Sequence, residues 1–316
     1  MFSELDISMM QNALALAWQG RFSTSPNPRV GCVIARGSQI VGQGFHLQAG
    51  GPHAEVHALR QAGALAEGAT AYVTLEPCSH YGRTPPCAKS LMEAGVARVV
   101  AAMADPNPLV AGKGLAMLRE AGIDVSDGLL QTEARALNRG FLSRIERARP
   151  FVRLKCAASL DGKTALANGQ SQWITGSAAR ADVQHWRARA CAILTGIGTV
   201  KADDPQLNVR AVETPRQPRR IVIDSRLDIS PDARILQGGG TWIVAAVAHP
   251  EKEAQLRALG AEVIVLPNAA GKVDLAALML AMDAVVTTCT AHIHLAGPLG
   301  VPAVLLLSPK ADARWE

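Results

Sequence analysis

The stretch AYVTLEPCSHYGRTPPCAKSL, residues 71–91, starts as a short apolar run of strand length and ends in a helix. Pro77-Cys78 closes the strand, and Pro85-Pro86 opens a helix pattern over Cys87–Ala94 that Gly95 follows. Upstream, Val30 to Ala35 is another apolar run, and His53–Ala62 is a second helix pattern with Gly63 behind it. Downstream, Arg98 to Met103 has strand character. Asp6 or Ser8 can cap an N-terminal helix whose Met10, Ala13, Leu14 and Ala17 share a face. Strands alternating with helices predict an α/β sandwich with at least partly parallel strands.

Two pieces of this half carry chemistry: His53-Ala54-Glu55, and the pair Pro77-Cys78 and Pro86-Cys87. A catalytic zinc takes three protein ligands and keeps one position for water, whose pKa falls to about 7. One imidazole (His53) and two thiolates (Cys78 and Cys87) are such a set. Glu55, two residues after His53 at a helix start, reaches that water without ligating the metal and carries its proton to a departing ammonia. Cys87 sits at another helix start, where unpaired N–H groups favour a thiolate. The order matches the zinc deaminase signature H-x-E…P-C-x-x-C, except that eight residues, not two, separate the cysteines. A structural zinc usually takes four ligands, and the missing fourth favours catalysis. His46, His57 and His80 read as substrate contacts or satisfied histidines. Cys32, Cys156, Cys191 and Cys289 read as buried, inert thiols.

Composition narrows the class. The 316 residues suggest two domains, and 48% hydrophobic with 19% charged residues is enough for large cores. The formal charge is +5, with the bases scattered, which suits an anionic small substrate at least as well as a nucleic acid. Aromatic residues are 4%, without a basic–aromatic stripe, which argues against an editing deaminase on tRNA or single-stranded DNA. Six cysteines and an acidic MFSELDISMM start imply reduced thiols and a cytoplasmic setting, with no membrane span.

The charged, proline-bearing segment from Ile145 to Pro150 separates a second α/β series. This series comprises a strand over Phe151–Ala157, a turn at Asp161-Gly162, a helix from Ser177 to Ala190, and strands at Cys191–Thr195, Ile221–Ile223 and Trp242–Val247. Arg187 and Arg210 have the forked geometry to clamp a phosphate. Gly196-Ile-Gly198 after a strand lets backbone approach a cofactor but lacks the third glycine of a dinucleotide fingerprint. Asp203-Asp204-Pro205 reads as a turn rather than a carboxylate pair.

Together SPNPRVGCVI, GPHAEVHALR, TLEPCSHYGRTPPC, DPNPLVAGKG and AGIDV resemble the bifunctional riboflavin-biosynthesis deaminase–reductases of the RibD type. The long inter-cysteine loop is the most family-specific part, and the resemblance runs from about Met9 to Val265. It implies a cytidine-deaminase-like three-layer sandwich over 1–147, followed by a truncated dihydrofolate-reductase-like α/β domain over 148–282. The first would hydrolytically deaminate a diaminopyrimidinone ribosylamine 5′-phosphate on Zn2+, with Asn27 and His46 on the substrate. The second would use NADPH to reduce the ribosyl group to ribityl. Through VRLKCAASLDGKTA, GQSQWITG, AILTGIGTVKADDPQLNVR and RRIVIDS, the resemblance implies substrate contacts at Lys155, Ser171, Arg187, Leu207 and Arg210. It implies NADPH contacts at Ala157, Trp173, Thr199, Asp203 and Ser225.

The resemblance breaks in the tail, residues 283–316. There TAHIHLAGPLGVPAV is similar to the nucleotide-sugar-binding half of a glycosyltransferase family. No glutamate stands where the reductase family places its substrate glutamate. Ala284–Thr288, Ala291–Leu299 and Pro302–Leu307 read as strand, helix and strand, which would fill the sheet slot of the segment they replace. Two expectations follow: a bifunctional enzyme, or a deaminase carrying an inactive reductase remnant. An exposed sheet edge in the second domain would favour a homodimer. A glycosyltransferase fragment is a third reading, and it lacks an acceptor domain.

Overall fold

A computed structural model of the chain describes residues 2–81, 85–108, 110–280 and 284–287. The backbone divides into two compact units, Met1–Arg147 and Ala148–Glu316.

In the first unit, helix α1 (Glu4–Gln19) precedes the hairpin of β1 (Gly31–Arg36) and β2 (Gln39–Phe45). Helix α2 (Ala54–Ala62), β3 (Thr70–Val73), α3 (Cys87–Glu93) and β4 (Arg98–Ala101) follow. Then come α4 (Lys113–Glu120), β5 (Asp124–Asp127), α5 (Gln131–Leu137) and α6 (Arg139–Arg147). The strands order as β2-β1-β3-β4-β5. β1 runs antiparallel to both its neighbours, and β3, β4 and β5 are parallel. Strand alternation sorts the core into two layers. Cys32 and Ile34 of β1 pack with Ala54, Ala58, Ala88, Leu91 and Leu118 from α2, α3 and α4. Val33 and Ala35 face the other way, onto Met9, Met10 and Ala13 of α1 and Leu142 of α6. This is the three-layer sandwich the resemblance implies.

The N-cap of α1 is Ser3, not Asp6 or Ser8. Ser3 Oγ accepts from the Asp6 N–H at 3.1 Å, and Asp6 Oδ2 accepts from the Ser3 N–H at 2.9 Å. The reciprocal pair is a capping box with Asp in the third helical position. Asp6 also binds deep in the sheet: Tyr72 Oη donates to it at 2.9 Å and Arg98 Nη1 at 2.7 Å. Burial alone would raise this carboxyl, but Arg98, Ser3 and Tyr72 together hold it well below the usual range. Burial first, and then the Asp6 bond, push the Tyr72 hydroxyl up to about 12.

The second unit holds β6 (Phe151–Leu154), α7 (Ser177–Arg189), β7 (Ala192–Gly196), α8 (Ile197–Asp203) and β8 (Arg219–Ile223). These are followed by β9 (Thr241–Ala245), α9 (Pro250–Ala258), β10 (Glu262–Val265), α10 (Leu275–Leu280) and β11 (Ala284–Thr287). Among the described residues the sheet is parallel throughout, in the order β10-β9-β8-β7-β11-β6. Ile193, Val222, Ile243 and Val263 pack on one face with Leu256 of α9. Val152, Leu194, Ile221 and Val244 pack on the other with Leu278 of α10. Strand β6 ends at Leu154, three residues before the sequence reading has it. Cys156 and Cys191 are half-buried rather than buried, whereas Cys32 is buried. The first tail strand, Ala284–Thr287, is inserted between β6 and β7, and Cys289 and the rest of the tail lie outside the described residues.

Candidate active sites

The deaminase-type centre is assembled by the starts of two helices and one loop. His53 is the N-cap of α2, with extended backbone, so its ring hangs free of the helix while Glu55 lies in the first turn. Cys87 is the first residue of α3, and Cys78 follows β3 in the loop, where its sulfur accepts from the Cys87 backbone N–H at 3.3 Å. His53 Nδ1 lies 3.2 Å from Cys87 Sγ and 3.6 Å from Cys78 Sγ. One atom from each of the three residues falls within a 4.8 Å cluster, the metal-ligating triad found among the described residues. A tetrahedral zinc with bonds of about 2.3 Å to sulfur and 2.0 Å to nitrogen spaces such N and S atoms roughly 3.5 Å apart. The triad therefore fits zinc in both donor chemistry and spacing. The Cys87 thiol beside it, with His53, pulls Cys78 down to about 4 against burial, and Cys87 is pushed up in turn. The Cys78 contact raises His53.

Glu55 is 3% exposed, and its Oε2 is buried without a hydrogen-bond partner. Burial pushes this carboxyl up to about 7, although His53 pulls it down. It stands beside Cys87, so the orphaned oxygen belongs to the metal pocket.

Asn27 and His46 converge on the same place. Asn27 Nδ2 lies 3.1 Å from His46 Nε2, His46 Nδ1 lies 3.0 Å from the Pro52 carbonyl, and the His46 and His53 rings meet edge to face at 5.5 Å. The Pro52 carbonyl requires a proton on Nδ1, so Nε2 accepts from Asn27. Burial lowers the His46 pKa and keeps the ring neutral.

Packing sets the height of α2 over the sheet. A Cβ on Gly42 would collide with the Ala58 carbonyl, and one on Gly44 would sit 2.8 Å from the Ala54 carbonyl and 2.5 Å from His57 Cβ. The two glycines of β2 thus let the helix bearing Glu55 lie directly on the strand. The sequence reading missed β2, and it missed Glu76, whose buried carboxylate accepts four backbone N–H groups from residues 105–115. The LEP preceding Cys78 was the one signal for it.

In the second unit, five of the residues the resemblance implies lie at the carboxyl ends of parallel strands, where open α/β sheets bind ligands. Lys155 and Ala157 follow β6, Thr199 and Asp203 lie on α8 after β7, and Ser225 follows β8. Arg187 is half-buried, and burial, with Arg210 beside it, lowers it to about 10. Burial also lowers Lys155, which feels Arg187 as well as Asp203. Lys155, Arg187 and Arg210 are thus one cationic cluster, with the Asp203 carboxylate within reach. Leu207 is buried with φ of 52°, and Arg187 Nη1 donates to the carbonyl of the next residue, Asn208, at 3.2 Å. Gly196 and Gly198 face open space. Trp173 is 56% exposed with Arg180 over its ring at 4.5 Å, and Ser171 is half-buried nearby in sequence. Asp204 caps α8 in a left-handed conformation and accepts from the Arg234 N–H at 2.8 Å, a structural role as the turn reading expects. Among the described residues, no helix is long and apolar enough to cross a membrane.

Residues 3–103 match the family described as the cytidine and deoxycytidylate deaminase zinc-binding region, and residues 150–287 match the RibD C-terminal domain. The second match reaches through β11, five residues past the break at 282 that the sequence reading sets. The riboflavin biosynthesis protein RibD of Escherichia coli K12 is 54% identical over 284 residues, 86% of this chain and 76% of that protein. RibD of Bacillus amyloliquefaciens is 52% identical over 81% of this chain and 70% of its own length. Among solved structures, Acinetobacter baumannii RibD superposes with a TM-score of 0.87 at 44% identity, covering 98% of this chain and 88% of that one. A deaminase/reductase from Thermotoga maritima superposes at 0.85 with 32% identity and the same coverages.

Proposed function

The chain belongs to the RibD family, zinc deaminase plus NADPH-using reductase of riboflavin biosynthesis, and from that premise we propose which residues perform each step. The deaminase-only alternative is not favoured, because both halves match their family counterparts. We assign the zinc deaminase to residues 1–147 and the reductase to residues 148–282, continued through the strand β11 that the family match includes, in a cytoplasmic enzyme that acts on a phosphorylated pyrimidine. The Thermotoga relative is described as a diaminohydroxyphosphoribosylaminopyrimidine deaminase and 5-amino-6-(5-phosphoribosylamino)uracil reductase, and we propose the same two substrates here.

His53, Cys78 and Cys87 would hold zinc, which when bound makes water a competent nucleophile near neutral pH. Glu55 accepts a proton from the attacking water and delivers it to the leaving amine. Water oxygen forms the new bond to the ring carbon, and the C–N bond breaks to release ammonia. A carboxyl raised to about 7 can both take and give that proton at neutral pH. Asn27, oriented by His46, presents its carboxamide oxygen to the pyrimidine. In the second unit Lys155, Arg187 and Arg210 bind the 5′-phosphate, with Ser171 and Leu207 lining the sugar. Ala157, Trp173, Thr199, Asp203 and Ser225 would hold NADPH, which when bound supplies the hydride for ring opening of the ribosyl group.

The observation that carries the first assignment is the buried, unpartnered Glu55 oxygen beside three convergent ligand atoms. Glu55→Gln should cut ammonia release by about 10²-fold or more while zinc stays bound. Undiminished ammonia release would remove Glu55 from the mechanism.

A further inference from the structure

Glu76 has no part in the chemistry above, yet it immediately precedes Pro77-Cys78. It is 4% exposed, and its carboxylate is spread over four main-chain donors. Oε2 accepts from the N–H groups of Asp105 and Gly112, each at 2.9 Å, and Oε1 accepts from Gly114 at 2.8 Å and Leu115 at 3.4 Å. The Glu76 N–H in turn donates to the Met103 carbonyl at 2.9 Å. The donors are 29 to 39 residues away in sequence, in the loop between β4 and α4 and the first turn of α4. That loop flanks the metal pocket. The Asp105 carboxyl is raised, first by burial and also by Glu76 and Cys78, and its Oδ1 accepts from the Asn107 N–H at 2.8 Å. Contact is close on the other side too: a Cβ on Gly114 would run into the Pro77 carbonyl.

We propose that Glu76 is a positioning residue of the deaminase centre. Its carboxylate ties the Pro77-Cys78 segment to Asp105, Gly112 and the first turn of α4, so that the zinc ligand and these backbone groups hold one fixed geometry. The assignment rests on the reading of His53, Cys78 and Cys87 as zinc ligands. Charge and shape both matter. A carboxylate is an acceptor on both oxygens, whereas a carboxamide must turn its NH2 toward one of the two donor pairs. Glu76→Gln therefore releases either Asp105 and Gly112 or Gly114 and Leu115, with almost no change in volume. Glu76→Asp keeps the charge and loses one methylene of reach.

The test uses the zinc-loaded full chain, the two Glu76 variants, and Asp6→Asn as a comparator. Asp6 is an equally buried carboxylate in the same unit, bonded to α1, Tyr72 and Arg98 rather than to the metal loops. Zinc release to a chromogenic chelator, and kcat and KM for ammonia release, are measured well below each variant's unfolding temperature. Glu76→Gln should release zinc about 10-fold faster or more and lose kcat/KM by a similar factor. Glu76→Asp should fall between it and the parent, and Asp6→Asn should melt earlier but release zinc like the parent. The proposal is overturned if Glu76→Gln melts earlier yet matches Asp6→Asn in zinc release and kcat/KM. If Glu76→Gln does not fold, Glu76→Asp decides by the same two readouts. A parent that neither holds zinc nor releases ammonia overturns the site reading itself, and the proposal with it.

Discussion

Gly44→Ala isolates the role of packing in the active site, because it adds one methyl group on β2 and touches no catalytic side chain. The new Cβ would lie 2.5 Å from His57 Cβ, 2.8 Å from the Ala54 carbonyl and 2.9 Å from the Ala58 nitrogen. The closest is about 0.9 Å inside ordinary contact, which begins at 3.4 Å. Two of these neighbours are helix backbone and the third is a Cβ fixed to it, so none can rotate away and α2 must lift or tilt as a body. Overpacking of this kind costs about 1–3 kcal/mol. At roughly 2–4 °C per kcal/mol for a unit of this size, the first unit should melt about 2–12 °C lower. The helix that lifts carries Glu55, with His53 at its N-cap, and a displacement near 1 Å at reacting groups costs on the order of 10²-fold in rate. Smaller movement costs less, so kcat/KM for ammonia release should fall roughly 10- to 100-fold. Calorimetry and a coupled ammonia assay read the two effects. Reductase turnover of the deaminated substrate should be unaffected. A Gly44→Ala protein that melts and deaminates like the parent would refute the claim that this glycine sets the height of the catalytic helix.

Two further outcomes follow from charge. Asp6 has its folded pKa depressed below the unfolded value of about 3.9, so the bond to Arg98 and Tyr72 stabilises fully above that value. The contribution is lost as pH falls from about 5 toward the depressed folded pKa. Asp6→Asn should therefore cost roughly 1–3 kcal/mol at pH 7 and progressively less in acid, as melting curves at pH 7 and pH 3 would show. Arg187→Ala should raise KM for the reductase substrate about 10-fold or more through loss of a charge-assisted phosphate contact, leaving ammonia release unchanged in a steady-state comparison.

The triad proposed to hold zinc is legible in sequence because that chemistry restricts residue type. His53, Glu55, Cys78 and Cys87 carry that restriction in three short stretches, whatever lies between them. Asn27 and His46 needed the family resemblance, since an asparagine in a turn and a histidine after a strand have ordinary uses. β2 escaped because Gln39-Ile-Val-Gly-Gln-Gly-Phe45 has two glycines where strands favour branched side chains. Those glycines are explained only by α2, which lies on them. Glu76 escaped for a related reason: its partners are backbone groups of a distant loop, and no side-chain pattern records them. The cap of α1 lies three residues before Asp6 and five before Ser8, because Asp6 resembles a cap and acts as the second half of a box begun by Ser3. In the tail, the break expected at 282 falls too early: Ala284–Thr287 lies within the residues that match the RibD C-terminal domain, and its backbone pairs with both β6 and β7.

The most direct test gives the purified full chain the diaminopyrimidine ribosylamine phosphate together with NADPH, and follows ammonia and NADPH oxidation in the same sample. Both activities on one chain predict ammonia release with or without NADPH, and NADPH oxidation that rises toward one equivalent per ammonia. Ammonia release without NADPH oxidation, even when the deaminated uracil compound is supplied directly, would contradict it.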